Sequence, residues 1–279
     1  MPELPEVETV RRGAERCLTG QRLDEAELRR PDLRWPIPTD AVLGLRGRRL
    51  TAVDRRAKYL LLRFDGRDRP VAIVHLGMSG RLFVDELAPR ARPPEWRKHE
   101  HWRMQFGRRL LRFVDPRRFG ALDVAPEFDL ETHPLLVHLG PEPLGGTFDG
   151  DALFRTTRKR KTSIKTLIMD ARHVVGVGNI YASEACFLAG VRPRRRASTL
   201  TRDDCTRLAD AIRSVLTAAI EAGGTTLRDY VGVDEETGYF QRELAVYDRA
   251  GAPCVRCDTP IKHVVSGQRS TYYCPTCQR

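Results

Sequence analysis

The chain has 279 residues, 41% of them hydrophobic, long enough for two or three modest domains with a sizeable core. Its 48 Lys and Arg against 37 Asp and Glu leave a net charge of +11, which favours a polyanionic partner, unless the excess is simply arginine spread over a solvated surface. No apolar run approaches ~18 residues and no basic-then-apolar leader is present, so neither a membrane span nor a signal peptide is expected.

In chain order, the first stretch is Met1-Pro2-Glu3-Leu4-Pro5-Glu6. Proline is a small penultimate residue, so Met1 should be removed, leaving Pro2 with a free secondary amine; a retained Met1 would leave none. Generic α-amino groups titrate near ~7.7–8. A ring amine is more basic, so burial or a nearby cation would have to lower it. Such an amine can attack a carbonyl-like carbon. The resulting iminium has no N–H to lose and is a persistent electron sink. Glu3 and Glu6 stand beside it and could move protons. The plainer reading is a helix start, with Pro5 in the first turn and Glu6 and Glu8 favoured by the helix dipole.

Val7, Val10, Ala14 and Cys17/Leu18 recur at helical spacing, which predicts an amphipathic helix over Leu4–Leu18. Short β-like runs follow at 50–53, 59–64, 71–76, 81–84, 102–106, 110–114 and 121–124, separated by Asp65-Gly66, Gly77, Gly107 and Asp115-Pro116. This spacing suggests an antiparallel sandwich. Residues 87–96, with Pro89, Pro93 and Pro94, read as an exposed loop. The run 139–147, LGPEPLGGT, is a hinge candidate. Helices are predicted at 149–157, 163–169, 179–189 and 201–223, the last with Thr201 as N-cap and Gly223-Gly224 as stop.

Cys254-x-x-Cys257 and Cys274-x-x-Cys277 are separated by sixteen residues, 258–273, a tetrahedral-zinc spacing. Four thiolates leave no open position, so one structural zinc is expected; two disulfides are the weaker reading. Strand-like residues 261–265 and 270–273 flank Ser266-Gly267 as a hairpin too small to hold without metal. The scattered Cys17, Cys186 and Cys205 make an odd total, which argues for a reducing compartment. Arg158-Lys159-Arg160-Lys161, followed by Lys165, reads by itself as a solvated basic face. Val175-Gly176-Val177-Gly178-Asn179 opens a helix without a surrounding βαβ unit, which suits a phosphate clamp rather than a dinucleotide site. Taken singly, Lys58 is a surface lysine, Met78 and Phe119 are core filler, and His99 is a solvated histidine.

Together, MPELPEVETVRR at 1–12, RRAKYLLL at 55–62, HLGMSG at 75–80, DPRRFG at 115–120, GNIYASEACFLAGVRP at 178–193 and the cysteine end resemble the bacterial formamidopyrimidine-DNA glycosylases (Fpg/MutM, within the Fpg/Nei family). The resemblance covers essentially the whole chain. It implies a base-excision repair enzyme, a bifunctional glycosylase and abasic-site lyase acting on 8-oxoguanine and formamidopyrimidines. Pro2 would be the nucleophile, Glu3 the acid/base, Lys58 an active-site lysine and Glu6 a bond to the opened sugar. Met78, Arg117 and Phe119 would fill the hole left by a flipped nucleotide; His99, Arg160 and Asn179 would contact phosphate. Arg269 would enter the DNA and support the second elimination. Residues 226–240 resemble the family's lid, and Asp258 departs from a glycine usual there, which should strain the zinc knuckle slightly.

The expected architecture is α+β and multidomain. Residues 2–132 form an N-terminal antiparallel β-sandwich with a flanking helix, and 133–148 a hinge. Residues 149–240 form a helix–two-turn–helix domain with the lid, and 241–279 a zinc-finger β-hairpin. The expected partner is damaged double-stranded DNA, bound by a monomer in the bacterial cytoplasm at the nucleoid. The alternatives are an endonuclease VIII-like enzyme for oxidised pyrimidines and a non-enzymatic zinc-ribbon DNA-binding protein.

Overall fold

The computed structural model describes residues 2–89, 92–224 and 244–279. Met1 and the expected lid at 226–240 lie outside these. The described residues form two compact units, one of residues 2–137 with 223–224, the other of residues 138–222 with 244–279.

The first unit opens with α1 (Leu4–Leu18). Its stripe of Val7, Val10, Ala14 and Leu18 is buried in the core. At roughly 1.5–3 kcal/mol per buried large apolar side chain, Val7, Val10 and Leu18 contribute about 5–9 kcal/mol. That burial holds the start of the chain in place. Two four-stranded antiparallel sheets follow. One has the order β1 (Leu23–Leu28), β6 (Glu100–Phe106), β7 (Arg109–Val114), β5 (Arg81–Glu86). The other has the order β2 (Leu50–Arg56), β3 (Tyr59–Phe64), β4 (Pro70–His75), β8 (Ala121–Pro126). Leu23, Trp102, Met104, Phe106 and Phe113 of the first meet Leu50, Leu62, Phe64 and Val74 of the second in one core, which makes a sandwich.

The strand β1 and the short helix α2 (Thr39–Leu43) have no counterpart among the predicted elements. A bulge in the pairing with β6, between Leu23 and Glu25, explains the first omission. It places inward-facing Leu23 and Ala26 three apart, which hides the period-two signal of a strand.

The first sheet carries charge inside. Arg112 is 2% exposed; its Nε donates to Glu100 Oε1 (2.9 Å) and its Nη1 to Asp85 Oδ2 (3.0 Å). Arg103 bonds Glu27 of β1 with two nitrogens, at 2.7 and 2.9 Å. Arg97 donates to Asp85 (2.8 Å), and its amide to Glu100 (2.7 Å), tying the described part of the proline-rich loop to the sheet.

The second unit holds α3 (Gly150–Thr157), α4 (Ile164–Ile168), α5 (Asn179–Leu188), α6 (Arg202–Glu221) and the hairpin β9 (Lys262–Ser266) and β10 (Arg269–Tyr273). Asp149, Ser163 and Thr201 cap α3, α4 and α6. The zinc module is not a separate body. Phe187 of α5 shares a small core with Val246, Cys254, Ile261, Tyr272 and Cys274.

Candidate active site and nucleic-acid interface

Pro2 is buried just ahead of α1, and Glu3 is the extended residue at the helix start. Glu6, one turn in, accepts the Glu3 N–H at 2.8 Å. Glu3 and Glu6 are each 2% exposed. The bond fixes the Pro2–Glu3 peptide against the helix, so the position of the ring nitrogen follows from the packing of α1. Gly224, at φ +84°, lies on the same carboxylate: a Cβ there would be 3.1 Å from Glu6 Oε1. Glu8, two residues on, accepts from Arg11, Arg12 and from Arg55 of β2. Burial alone would raise its carboxyl, but the Arg55 and Arg11 pairs outweigh that and hold it below the usual range.

The Arg55–Glu8 pair brings the end of β2 to the helix. Ala57 and Lys58 form the turn closed by the Arg56–Tyr59 pair, with Ala57 at φ 55°. Lys58 is half-buried there. Its charge is felt by His75 at the end of β4, whose ring lies 4.7 Å from that of Tyr59. Burial, then the charges of Lys58 and Arg34, push His75 down to about 4 against the opposing pull of Asp115. The imidazole is therefore neutral at pH 7, and its Nδ1 accepts the Gly77 N–H at 3.0 Å. His75 is a residue the motif reading passed over. Its signal was a polar side chain closing the otherwise apolar strand PVAIVH.

Met78 and Phe119 are not core filler: they are 39% and 41% exposed. The Arg117 guanidinium stands 4.7 Å over the Phe119 ring. His99 is exposed, at φ 63°.

In the second unit, Arg160 is exposed on the turn before α4, Asn179 begins α5, and Arg269 is exposed where β10 begins. Lys165 departs from the solvated basic face expected of it. It is 3% exposed, and its Nζ donates to Asn179 Oδ1 (2.7 Å), the Ser270 carbonyl (2.8 Å) and Thr271 Oγ1 (2.9 Å). One buried ammonium thus joins the first residue of α5 to the strand that Arg269 opens. Glu184, also unremarked in the sequence, accepts the amides of Ala245, Val246 and Tyr247 at 2.8–3.0 Å. Burial raises its carboxyl, and those three bonds work against the rise.

The Sγ atoms of Cys254, Cys257, Cys274 and Cys277 lie within 4.8 Å of one another. The closest approaches run from 3.3 to 3.9 Å. Zinc–sulfur bonds of ~2.3 Å at the tetrahedral angle need about 3.8 Å between sulfurs, whereas a disulfide needs about 2.05 Å. The donor set fits one structural zinc, and the two-disulfide reading is set aside. Asp258 sits at φ 58°, a left-handed turn that glycine would adopt without strain.

Three family descriptions match in series: formamidopyrimidine-DNA glycosylase N-terminal domain over residues 1–122, its H2TH domain over 139–231, and the zinc finger found in FPG and IleRS over 251–279. The formamidopyrimidine-DNA glycosylase of Thioalkalivibrio sulfidiphilus is 55% identical over the whole of both chains. Among solved structures, the MutM (FPG) protein of Thermus thermophilus aligns with TM-score 0.88 and 40% identity, covering 99% of this chain and 98% of that one. A mutant FPG of Lactococcus lactis, in complex with a Fapy-dG-containing DNA, aligns with TM-score 0.90 and 33% identity over all of both chains. With full-length identity at this level and the same order of domains, the chain belongs to the formamidopyrimidine-DNA glycosylase family.

Proposed function

We propose that the protein is a bifunctional DNA glycosylase and abasic-site lyase that removes oxidised purines, 8-oxoguanine and formamidopyrimidines, from duplex DNA. The observation that carries this is the fixed Pro2–Glu3 peptide at the start of α1, in a chain of this family.

Once Met1 is removed, the Pro2 nitrogen attacks C1′ of the flipped nucleoside as the glycosidic bond breaks. Glu3 supplies the proton for sugar opening and base departure, and Glu6 steadies the opened sugar. The Pro2 iminium acidifies the C2′ proton, so that the 3′ phosphate leaves by β-elimination. The same electron sink permits δ-elimination of the 5′ phosphate, with Arg269 assisting. Lys58 lowers the basicity of the Pro2 amine by like-charge repulsion. Met78, Arg117 and Phe119 occupy the vacated stack, a role their exposure supports. His99, Arg160 and Asn179 take phosphates, and zinc shapes the hairpin without reacting.

Residues 2–132 carry the chemistry, 133–148 the hinge, 149–240 the helix–two-turn–helix motif and lid, and 241–279 the zinc finger; the order of the matched domains supports this division. We read the protein as a monomer working on nucleoid DNA in the cytoplasm. Among the described residues no helix is long and apolar enough to cross a membrane.

Borohydride reduction of the protein with abasic DNA tests the mechanism. A covalent adduct at Pro2 is expected, and Pro2→Gly should bind the same DNA while its adduct is lost or greatly weakened. Strand cleavage by the trimmed protein with no trappable adduct would exclude the mechanism.

A further inference from the structure

Met78, His99 and the Arg117/Phe119 pair come from separate stretches of sequence, and one residue holds those stretches together, the first and last through its side chain and the His99 stretch through its backbone amide. Asp115 is fully buried. Its Oδ1 accepts the Ser79 hydroxyl (2.5 Å) and the Arg117 N–H (3.3 Å), and its Oδ2 accepts the Gly120 N–H (2.8 Å). Its amide donates to the His99 carbonyl (2.9 Å). Its carbonyl accepts from the Arg118 amide (3.2 Å) and from His101 Nε2 (2.8 Å), which fixes that ring nitrogen as the protonated one. Ser79 Oγ in turn accepts the Arg117 N–H at 3.2 Å.

Ser79 follows Met78 and Gly120 follows Phe119, so the carboxylate grips the residue next to each exposed apolar side chain, Ser79 by its hydroxyl and Gly120 by its amide. The two loops also touch main chain to main chain. Gly77 is at φ +65°, and a Cβ there would fall 2.4 Å from the Phe119 carbonyl carbon. A buried carboxylate is costly unless its oxygens are bonded. Here its bonds go to loop hydroxyl and amide donors, charge-assisted and directional.

We propose that Asp115 is the positioning residue of the duplex-opening wedge. It holds Met78, Arg117 and Phe119 as one rigid unit and so sets how readily a lesion is everted, leaving the chemistry at Pro2 to other residues. The inference rests on the wedge reading given above. Prying a base step apart with loose loops would require ordering them at the same moment. Loops already tied to one carboxylate avoid that cost.

The test compares two substrates in single turnover: 8-oxoguanine in a fully paired duplex, and an abasic site inside an unpaired bubble, where no stack has to be opened. Asp115→Asn keeps the shape but turns an NH₂ toward donors. Ser79 can rotate to accept it; the amides of Arg117 and Gly120 cannot. Excision from the paired duplex should slow by at least tenfold, while borohydride trapping on the bubble stays within twofold of the parent. 2-Aminopurine beside the lesion should brighten more slowly. Ser79→Ala, which removes one bond to Oδ1, should show the same pattern to a smaller degree and serves if the asparagine variant does not fold. Equal losses on both substrates, or unchanged excision, would overturn the proposal. A Met78→Ala/Phe119→Ala protein separates the two ideas. If it excises normally, the wedge reading is wrong; if it is impaired while both Asp115→Asn and Ser79→Ala excise normally, only the role of Asp115 is wrong.

Discussion

Replacing Lys165 with methionine removes the buried charge that joins α5 to the zinc hairpin. Three charge-assisted bonds at 2.7–2.9 Å disappear, to Asn179, Ser270 and Thr271. At about 1.5–3 kcal/mol each, they amount to roughly 5–9 kcal/mol. Several kcal/mol of that offsets the burial of the ammonium itself. Methionine keeps the volume and spares the ammonium its desolvation, but leaves Asn179 Oδ1 and the Ser270 carbonyl without this partner, at about 1–3 kcal/mol each. The net loss should be about 3 kcal/mol, read by urea unfolding with an unchanged m-value. Asn179 and β10 would also lose their shared anchor, so affinity for a duplex carrying a stable abasic analogue should fall about tenfold, roughly 1.4 kcal/mol, by fluorescence anisotropy. A Lys165→Met protein within about 1 kcal/mol of the parent and binding DNA with parental affinity would refute the argument.

His75 makes the fold acid-sensitive in a defined window. Its ordinary value of 6.5 drops to about 4 on folding, so between those values the unfolded chain takes up a proton that the folded chain refuses. Stability is therefore unaffected by His75 above pH 6.5 and declines as pH falls toward 4, by up to about 3 kcal/mol. His75→Gln should flatten that part of the urea-derived profile, and parallel profiles for parent and variant would count against the assignment. At the zinc knuckle, a chelator should unfold the hairpin and weaken DNA binding. Asp258→Gly, relieving about 1 kcal/mol of left-handed strain, should raise the chelator concentration needed for half-release, as followed with a zinc-sensitive dye.

Much of this architecture could be read from patterns of two kinds. Local patterning placed α1, most of the sandwich strands and α3 to α6; α1 and α6 bury one regular stripe, whereas α5 is buried at every residue from Ile180 to Phe187 and was marked by its apolar run instead. Cysteine spacing placed the zinc hairpin. The bulged strand β1 escaped because its inward residues have lost their alternation. What escaped at the candidate site has a single physical character. Lys165, Glu184, His75 and Asp115 are polar groups whose partners lie far away in sequence or on the backbone, so even where a quoted stretch such as HLGMSG or DPRRFG contains the residue, its letters do not show what it bonds. Lys165 was hidden further by the basic run before it, exposed at Lys159, Arg160 and Lys161, which shares its charge but not its surroundings. Glu184 left a trace, as the one charged residue in the run ASEACF.

The ion pairs inside the first sheet give the protein two different sensitivities to electrolyte. Pairs such as Arg112 with Glu100 are sealed from solvent, where counterions hardly reach them, and each is neutral as a unit. The unbalanced positive charge is then left mostly at the surface, within a Debye length of ~8 Å at physiological strength. Rising salt should consequently strip away a bound polyanion long before it loosens the scaffold. Ionic strength becomes a release lever: the enzyme can let go of one stretch of DNA and sample another without any part of its framework melting.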